Sequence, residues 1–249
     1  MTALRTAVIA GNWKMHHDPA STRLFFERFL ALHAPRTDLT VIVFPPTISL
    51  EAARLVVGER ADVQLGVQNV HWESAGAFTG EISADMAMAA GARYALVGHS
   101  ERRQLFGETD ADVARKTRAV LAAGLTPVVC VGETLEERRA GRANDVVDQQ
   151  LSQVLEAVRD TSGLVIAYEP VWAIGTGETA SPDDAQAMHA SIRAQLASAS
   201  NTAIPILYGG SVKPQNTATL LAQGDIDGVL VGGASVDPQS FAAICATDA

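Results

Sequence analysis

Cysteine is nearly absent. The 249 residues contain two, Cys130 and Cys245, with no CxxC pair and no Cys/His spacing. This excludes a disulfide framework and a Cys/His zinc centre, and it fits a reducing compartment. No apolar run is long enough to cross a bilayer. The opening residues, MTALRTAVIAGNWK, carry no secretory pattern, so a soluble, cytoplasmic protein without membrane contact is expected. Positive charge is in short supply: 19 Lys and Arg stand against 28 Asp and Glu, a formal net charge of −9. That balance argues against nucleic acid as a partner, but a small anionic metabolite can still find a locally positive site. Low-complexity linkers are missing too, so residues 1–249 are expected to form one domain. With 47% apolar residues, a chain of this length can bury a core without covalent staples.

What the chain does have is a repeated alternation. Short β-branched runs occur at 6–14 (TAVIAGNWK), 39–46 (LTVIVFPP), 63–69 (VQLGVQN), 93–100 (RYALVGHS), 125–133 (LTPVVCVGE), 164–170 (LVIAYEP), 204–211 (IPILYGGS) and 227–235 (DGVLVGGAS). Most are continuous apolar runs, as expected of strands covered on both faces. Helix starts lie between them at Asp18-Pro19, Ser181-Pro182, Lys213-Pro214 and Asp237-Pro238, and Gly58, Gly91, Gly124 and Gly224 mark stops. Leu24, Phe25, Leu30 and Leu32 read as the buried stripe of the first helix. Eight β-then-α units in about 250 residues predict a single-domain α/β protein with a closed (β/α)8 barrel, against the alternative of an open doubly wound sheet. Gly175 to Ala180 fits G-x-G-x-x-A, but the match begins six positions after Glu169, and no acid stands near Gln195 to hold a ribose. A dinucleotide site is therefore not expected.

Barrel sites are built at the carboxyl ends of the strands. There the sequence offers Asn12 and Lys14; His99, Ser100 and Glu101; Glu169; Gly209-Gly210-Ser211; and Gly232-Gly233. The opposite ends show no comparable set. Taken singly, Lys14 reads equally as a surface lysine or a fixed cation for an anionic substrate, and His99 as a structural histidine. A helix start after His99 would favour its neutral ring. Glu169 ends an apolar strand and precedes Pro170, where desolvation would raise its pKa toward that of a useful base; the alternative is a structural ion pair. The glycine pairs either make tight turns or let backbone N–H groups approach a phosphate. Cys130 reads as a buried small apolar residue.

Together, GNWK (11–14), GAFTGE (76–81), VGHSERR (97–103), CVGETLEER (130–138), YEPVWAIGTG (168–177), YGGSV (208–212) and LVGGAS (230–235) resemble the triosephosphate isomerase family across essentially the whole chain. The resemblance implies interconversion of dihydroxyacetone phosphate and D-glyceraldehyde 3-phosphate, with neither cofactor nor metal. It implies Glu169 as base, His99 as neutral electrophile, Lys14 as cation and Asn12 as hydrogen-bond donor to a substrate oxygen. Glu101 would support Lys14 from behind, and Gly175, Ser211, Gly232 and Gly233 would hold the phosphate. It further implies a homodimer in which the loop 71–80 inserts into the partner, led by Phe78 and Thr79. A lone monomer would expose Trp72 and Phe78 to water.

Overall fold

The computed structural model describes residues 7–158, 160–174, 180–199 and 203–247. Eight parallel strands close on themselves in sequence order, β1 pairing with both β2 and β8. They are β1 (Ala7–Asn12), β2 (Leu39–Phe44), β3 (Val63–Val67), β4 (Tyr94–Val97), β5 (Thr126–Val131), β6 (Val165–Tyr168), β7 (Ile206–Tyr208) and β8 (Gly228–Val231). Among the described residues, ten α-helices lie between and after them: α1 (Pro19–Leu32), α2 (Leu50–Val57), α3 (Ala84–Ala89), α4 (Ser100–Phe106), α5 (Asp110–Ala122), α6 (Leu135–Arg139), α7 (Ala143–Ala157), α8 (Pro182–Ser198), α9 (Pro214–Leu221) and α10 (Pro238–Cys245). The barrel bears out the predicted fold and removes the open-sheet alternative.

The continuous apolar strands follow from two packed layers. Along β1, Val8 and Ala10 point into the barrel with Ile42, Phe44, Leu96 and Leu230, while Ile9 faces the helices with Phe26 and Phe29. Side chains alternate between the two, so both faces of the strands are mostly apolar. The interior is filled to contact. A Cβ on Gly66 would lie 2.3 Å from Phe44 Cε1, so the glycine makes room for the ring.

Three of the expected helix starts are capped as their residues require. Asp18 Oδ1 accepts from Ser21 N at 2.8 Å, Ser181 Oγ from Asp184 N at 3.1 Å, and Asp237 Oδ1 from Ser240 N at 2.8 Å, each ahead of a proline. At Lys213 the bond runs the other way, from its own N–H to Asn216 Oδ1 at 2.8 Å, since lysine has no acceptor to offer. Thr109 and Thr134 open α5 and α6 with capping boxes that the sequence reading did not use. Two expectations need correction. The buried stripe of α1 is Thr22, Phe25, Phe26 and Phe29, whereas Leu24 and Leu32 are each 54% exposed and Leu30 is only partly covered. The three phenylalanines, spaced at one and three residues, outcompete the leucines for the barrel-facing side. Gly224 does not end α9, which stops at Leu221 with Ala222 as its cap.

Candidate active site

The strand ends bring most of the expected residues into one cavity of about 410 Å³, lined by Asn12, Lys14, His99, Glu169, Ser211, Gly232 and Gly233, with Ile174 at its edge. Gly175 lies outside the described residues. Glu101 stands behind Lys14, as expected: Lys14 Nζ donates to its Oε1 at 2.6 Å.

Lys14 is held in an unusual backbone conformation, with φ at 53°. A non-glycine residue adopts this region only where its surroundings over-determine it. Here its N–H donates to Asn12 Oδ1 at 3.0 Å, and its carbonyl accepts from Gln68 Nε2 at 2.8 Å. Gln68 also donates to Phe44 O at 2.9 Å. Asn12 and Gln68 thus clamp both sides of the lysine backbone. The role of Gln68 was not foreseen, since a lone glutamine at a strand end carries no distinguishing signal.

Glu169 is 2% exposed at the end of β6. Its carboxylate accepts from Ser100 N at 2.9 Å and Ser100 Oγ at 3.2 Å, and it lies 3.1 Å from His99 Nε2. The backbone beneath it is pinned by Glu169 N donating to Val131 O at 2.8 Å and Gly209 N donating to Tyr168 O at 2.7 Å. Glycines on both sides permit this approach. A Cβ on Gly132 would lie 1.8 Å from Glu169 O, and one on Gly209 would lie 2.9 Å from Glu169 Cγ.

His99 caps α4. Its Nδ1 accepts from Glu101 N at 3.3 Å, which leaves the ring proton of a neutral imidazole on Nε2, the nitrogen directed at Glu169. Cys130 is fully buried, and its thiol is pushed well above the ordinary range by burial and then by the negative charge of Glu169. Its apolar reading stands, with the addition that it packs against the carboxylate, a contact the sequence could not reveal.

The chain after Glu169 is anchored from below. The buried Glu133 Oε1 accepts from Trp172 Nε1 at 2.8 Å and Tyr168 Oη at 3.1 Å, and Arg138 lies over the Trp172 ring at 4.7 Å. Burial beside Glu133 raises the Tyr168 hydroxyl far above its usual range, keeping it a donor. The Tyr208 hydroxyl bonds to the backbone of Ala180 and is pushed up to about 12, chiefly by burial.

The loop 71–80 projects from the same end of the barrel. Phe78 is 42% exposed and Thr79 is exposed. Trp72 is less exposed than expected: it is half-buried, with the Arg115 guanidinium 5.3 Å from its ring and His71 stacked at 4.4 Å. Among the described residues no His, Cys, Asp and Glu group is arranged to hold a metal ion, and no helix is long and apolar enough to cross a membrane.

The family model described as triosephosphate isomerase matches residues 7–248. A triosephosphate isomerase of Symbiobacterium thermophilum is 50% identical over 253 residues, covering 99% of this chain and 98% of its own. Those of Herpetosiphon aurantiacus and Halorhodospira halophila are each 51% identical over 247 residues, covering 96% and 97% of this chain and 97% of their own lengths. The chain belongs to the triosephosphate isomerase family.

Proposed function

We propose that this chain interconverts dihydroxyacetone phosphate and D-glyceraldehyde 3-phosphate by proton transfer through an enediolate, serving glycolysis and gluconeogenesis in the cytoplasm. The observation that carries the reading is the convergence of the Glu169 carboxylate, His99 Nε2 and Lys14 on one cavity walled by the Gly232-Gly233 turn. Glu169 takes the proton from the carbon beside the carbonyl, exchanging its bonds to Ser100 for the substrate. Charge then develops on oxygen, and donors already in place stabilise it without reorganisation. The His99 Nε2–H polarises the carbonyl and moves protons between the two oxygens; a neutral ring is closer in acidity to an enediol than an imidazolium is. Lys14 and Asn12 meet the developing negative charge. Ser211, Gly232, Gly233 and Gly175 receive the phosphate, whose binding orients the reacting carbons and contributes to the rate. Ile174, at the edge of the cavity, excludes water from the intermediate.

The protein acts as a homodimer in this reading. Large apolar side chains stand exposed on the segments that follow the first four strands: Met15 (95%) after β1, Ile48 after β2, Phe78 after β3, and Leu105 and Phe106 at the end of α4 after β4. A partner covering them would take these apolar side chains out of water. Sedimentation at micromolar concentration tests this, and a folded, fully active monomer contradicts it. For the reaction, incubation in deuterated water is decisive. Solvent deuterium should enter the carbon that gains the proton, whereas complete absence of exchange under slow turnover would indicate a hydride shift and overturn the base role of Glu169.

A further inference from the structure

The β1–β8 ladder ends at Gly11 and Val231. The two segments proposed to hold opposite ends of the substrate, the loop with Lys14 and the turn with Gly232-Gly233, lie just beyond it. They nevertheless lie close: a Cβ on Gly232 would be 3.8 Å from Lys14 Cε. Two side chains span the gap. Trp13, fully buried against Phe25 and Phe26, donates its indole N–H to Ser235 O at 2.9 Å. His17 Nε2–H donates to Val236 O at 2.9 Å from a backbone held at φ 69°, while its own carbonyl accepts from Ser49 Oγ at 2.9 Å. The His17 and Trp13 rings meet edge-on at 4.6 Å.

These bonds bear on the direction of the phosphate donors. Ser235 is fully buried, and both its N–H, at 2.8 Å, and its hydroxyl, at 2.7 Å, donate to the Gly232 carbonyl. In a trans peptide the following N–H points opposite to the carbonyl. With the Gly232 oxygen drawn toward Ser235, the Gly233 N–H is turned to the side away from Ser235, and Gly233 lines the cavity. Trp13 fixes Ser235, and Lys14 is the next residue in the chain. The orientation of the phosphate donor and the position of the ammonium are therefore set through one buried contact, with His17 holding the rim of the same seam.

We propose that Trp13 and His17 are positioning residues that keep the Lys14 loop in register with the phosphate turn. This rests on the reading of Lys14, Gly232 and Gly233 as substrate contacts. Without the staple each half still folds, but the ammonium and the phosphate donors lose their fixed separation, and misplacement of about 1 Å costs as much as about 100-fold.

The test uses Trp13→Phe, which keeps an aromatic plug but removes the N–H, and His17→Asn, which accepts the left-handed backbone but is too short to reach Val236. Both are compared with the unaltered protein on triose phosphate and on phosphate-free D-glyceraldehyde, with inorganic phosphate as competing anion. Trp13→Phe should lower kcat/KM for triose phosphate about 10- to 100-fold, lose markedly less on glyceraldehyde, and weaken inhibition by phosphate. His17→Asn should shift the same quantities less, and His17→Gln, which restores an N–H on a longer side chain, should recover part of the loss. Equal losses on both substrates with unchanged phosphate inhibition would mean general damage and overturn the proposal, as would no loss at all. Lys14→Ala separates the two readings. Full turnover in that variant would defeat the site assignment, while lost turnover beside unaffected Trp13 and His17 variants would defeat the staple alone.

Discussion

The two ends of the barrel use charge in opposite ways. At the carboxyl end, the charged groups of the cavity border open space: Lys14 leans on one partially exposed partner, Glu101, and Glu169 is held by bonds it can exchange. At the amino end, two groups of charges are closed into knots. Asp62, preceding β3, accepts from Arg60 Nε and Nη2 at 2.8 Å each and from Arg36 N and His33 Nε2 at 3.2 Å. Arg36 continues to the carbonyl of Cys245 at 3.2 Å, joining the chain beyond α1 to the last helix. Arg193 similarly binds Asp227, whose carboxylate also accepts from Ile206 N at 2.8 Å. Satisfied charges of this kind hold loops in place, while charges with unspent capacity are available to a substrate. The difference lies in whether the partners leave room.

Exchanging function for stability at either end should therefore give opposite signatures. The largest effect is expected from Glu169→Asp: turnover should fall about 100-fold or more, because shortening the side chain by one methylene withdraws the base by about 1 Å. The melting temperature should barely move, and near-normal turnover would remove Glu169 from its role. Asp62→Ala should do the reverse, costing about 2 kcal/mol in denaturant unfolding at neutral pH by leaving His33 and the partly exposed Arg60 without their anion, with kcat unchanged. A loss of kcat without loss of stability would show that the two ends are not separable. The Asp62 carboxyl is held down to about 2, chiefly by Arg60, from an ordinary value of 3.8. Its contribution is thus complete above about pH 4 and lost as the pH falls through 2.

A smaller and pH-limited effect belongs to His189, buried inside α8 with Nδ1 on Asp225 O at 3.2 Å and edge-on to Tyr168 at 5.8 Å. Burial lowers it from 6.5 to about 4. Between those values the unfolded chain binds a proton that the folded protein refuses, so stability should fall with acidification, by up to about 1.4 kcal/mol per pH unit. His189→Asn, which can keep the donor but cannot titrate, should flatten the slope in that window; an unchanged slope would assign it to other groups. Least of all is expected from Leu24→Gln on the exposed side of α1, within about 0.5 kcal/mol. A cost several times larger would mean that this face is covered in solution.

Much of the carboxyl end was legible before folding was considered, because a parallel barrel gathers residues at one place in each repeat. Asn12, Lys14, His99, Glu169, Ser211 and the Gly232 pair could be collected by reading strand ends alone. The amino end was not legible: the groups that meet in its knot, the His33 ring, the Asp62 carboxylate and the Cys245 carbonyl, come from three distant segments. Ser100, Gln68 and Ser235 were equally silent as supports, because each acts through one hydrogen bond whose direction depends on the surrounding backbone. The stripe of α1 was misassigned for a related reason: Leu24 and Phe25 are adjacent and both apolar, and only the barrel wall chooses between them.

By itself, then, the sequence determined the alternation of eight strands with helices, the glycines where backbones must touch, and the chemical types at each strand end. These follow from local periodicity and from steric demands a single residue can meet. Tertiary structure alone decided the left-handed turn at Lys14, the face of His99 that carries its proton, and the seam joining Trp13 to Ser235. Each of these needs groups far apart in the chain to meet within hydrogen-bond distance, and that distance exists only once the barrel has closed.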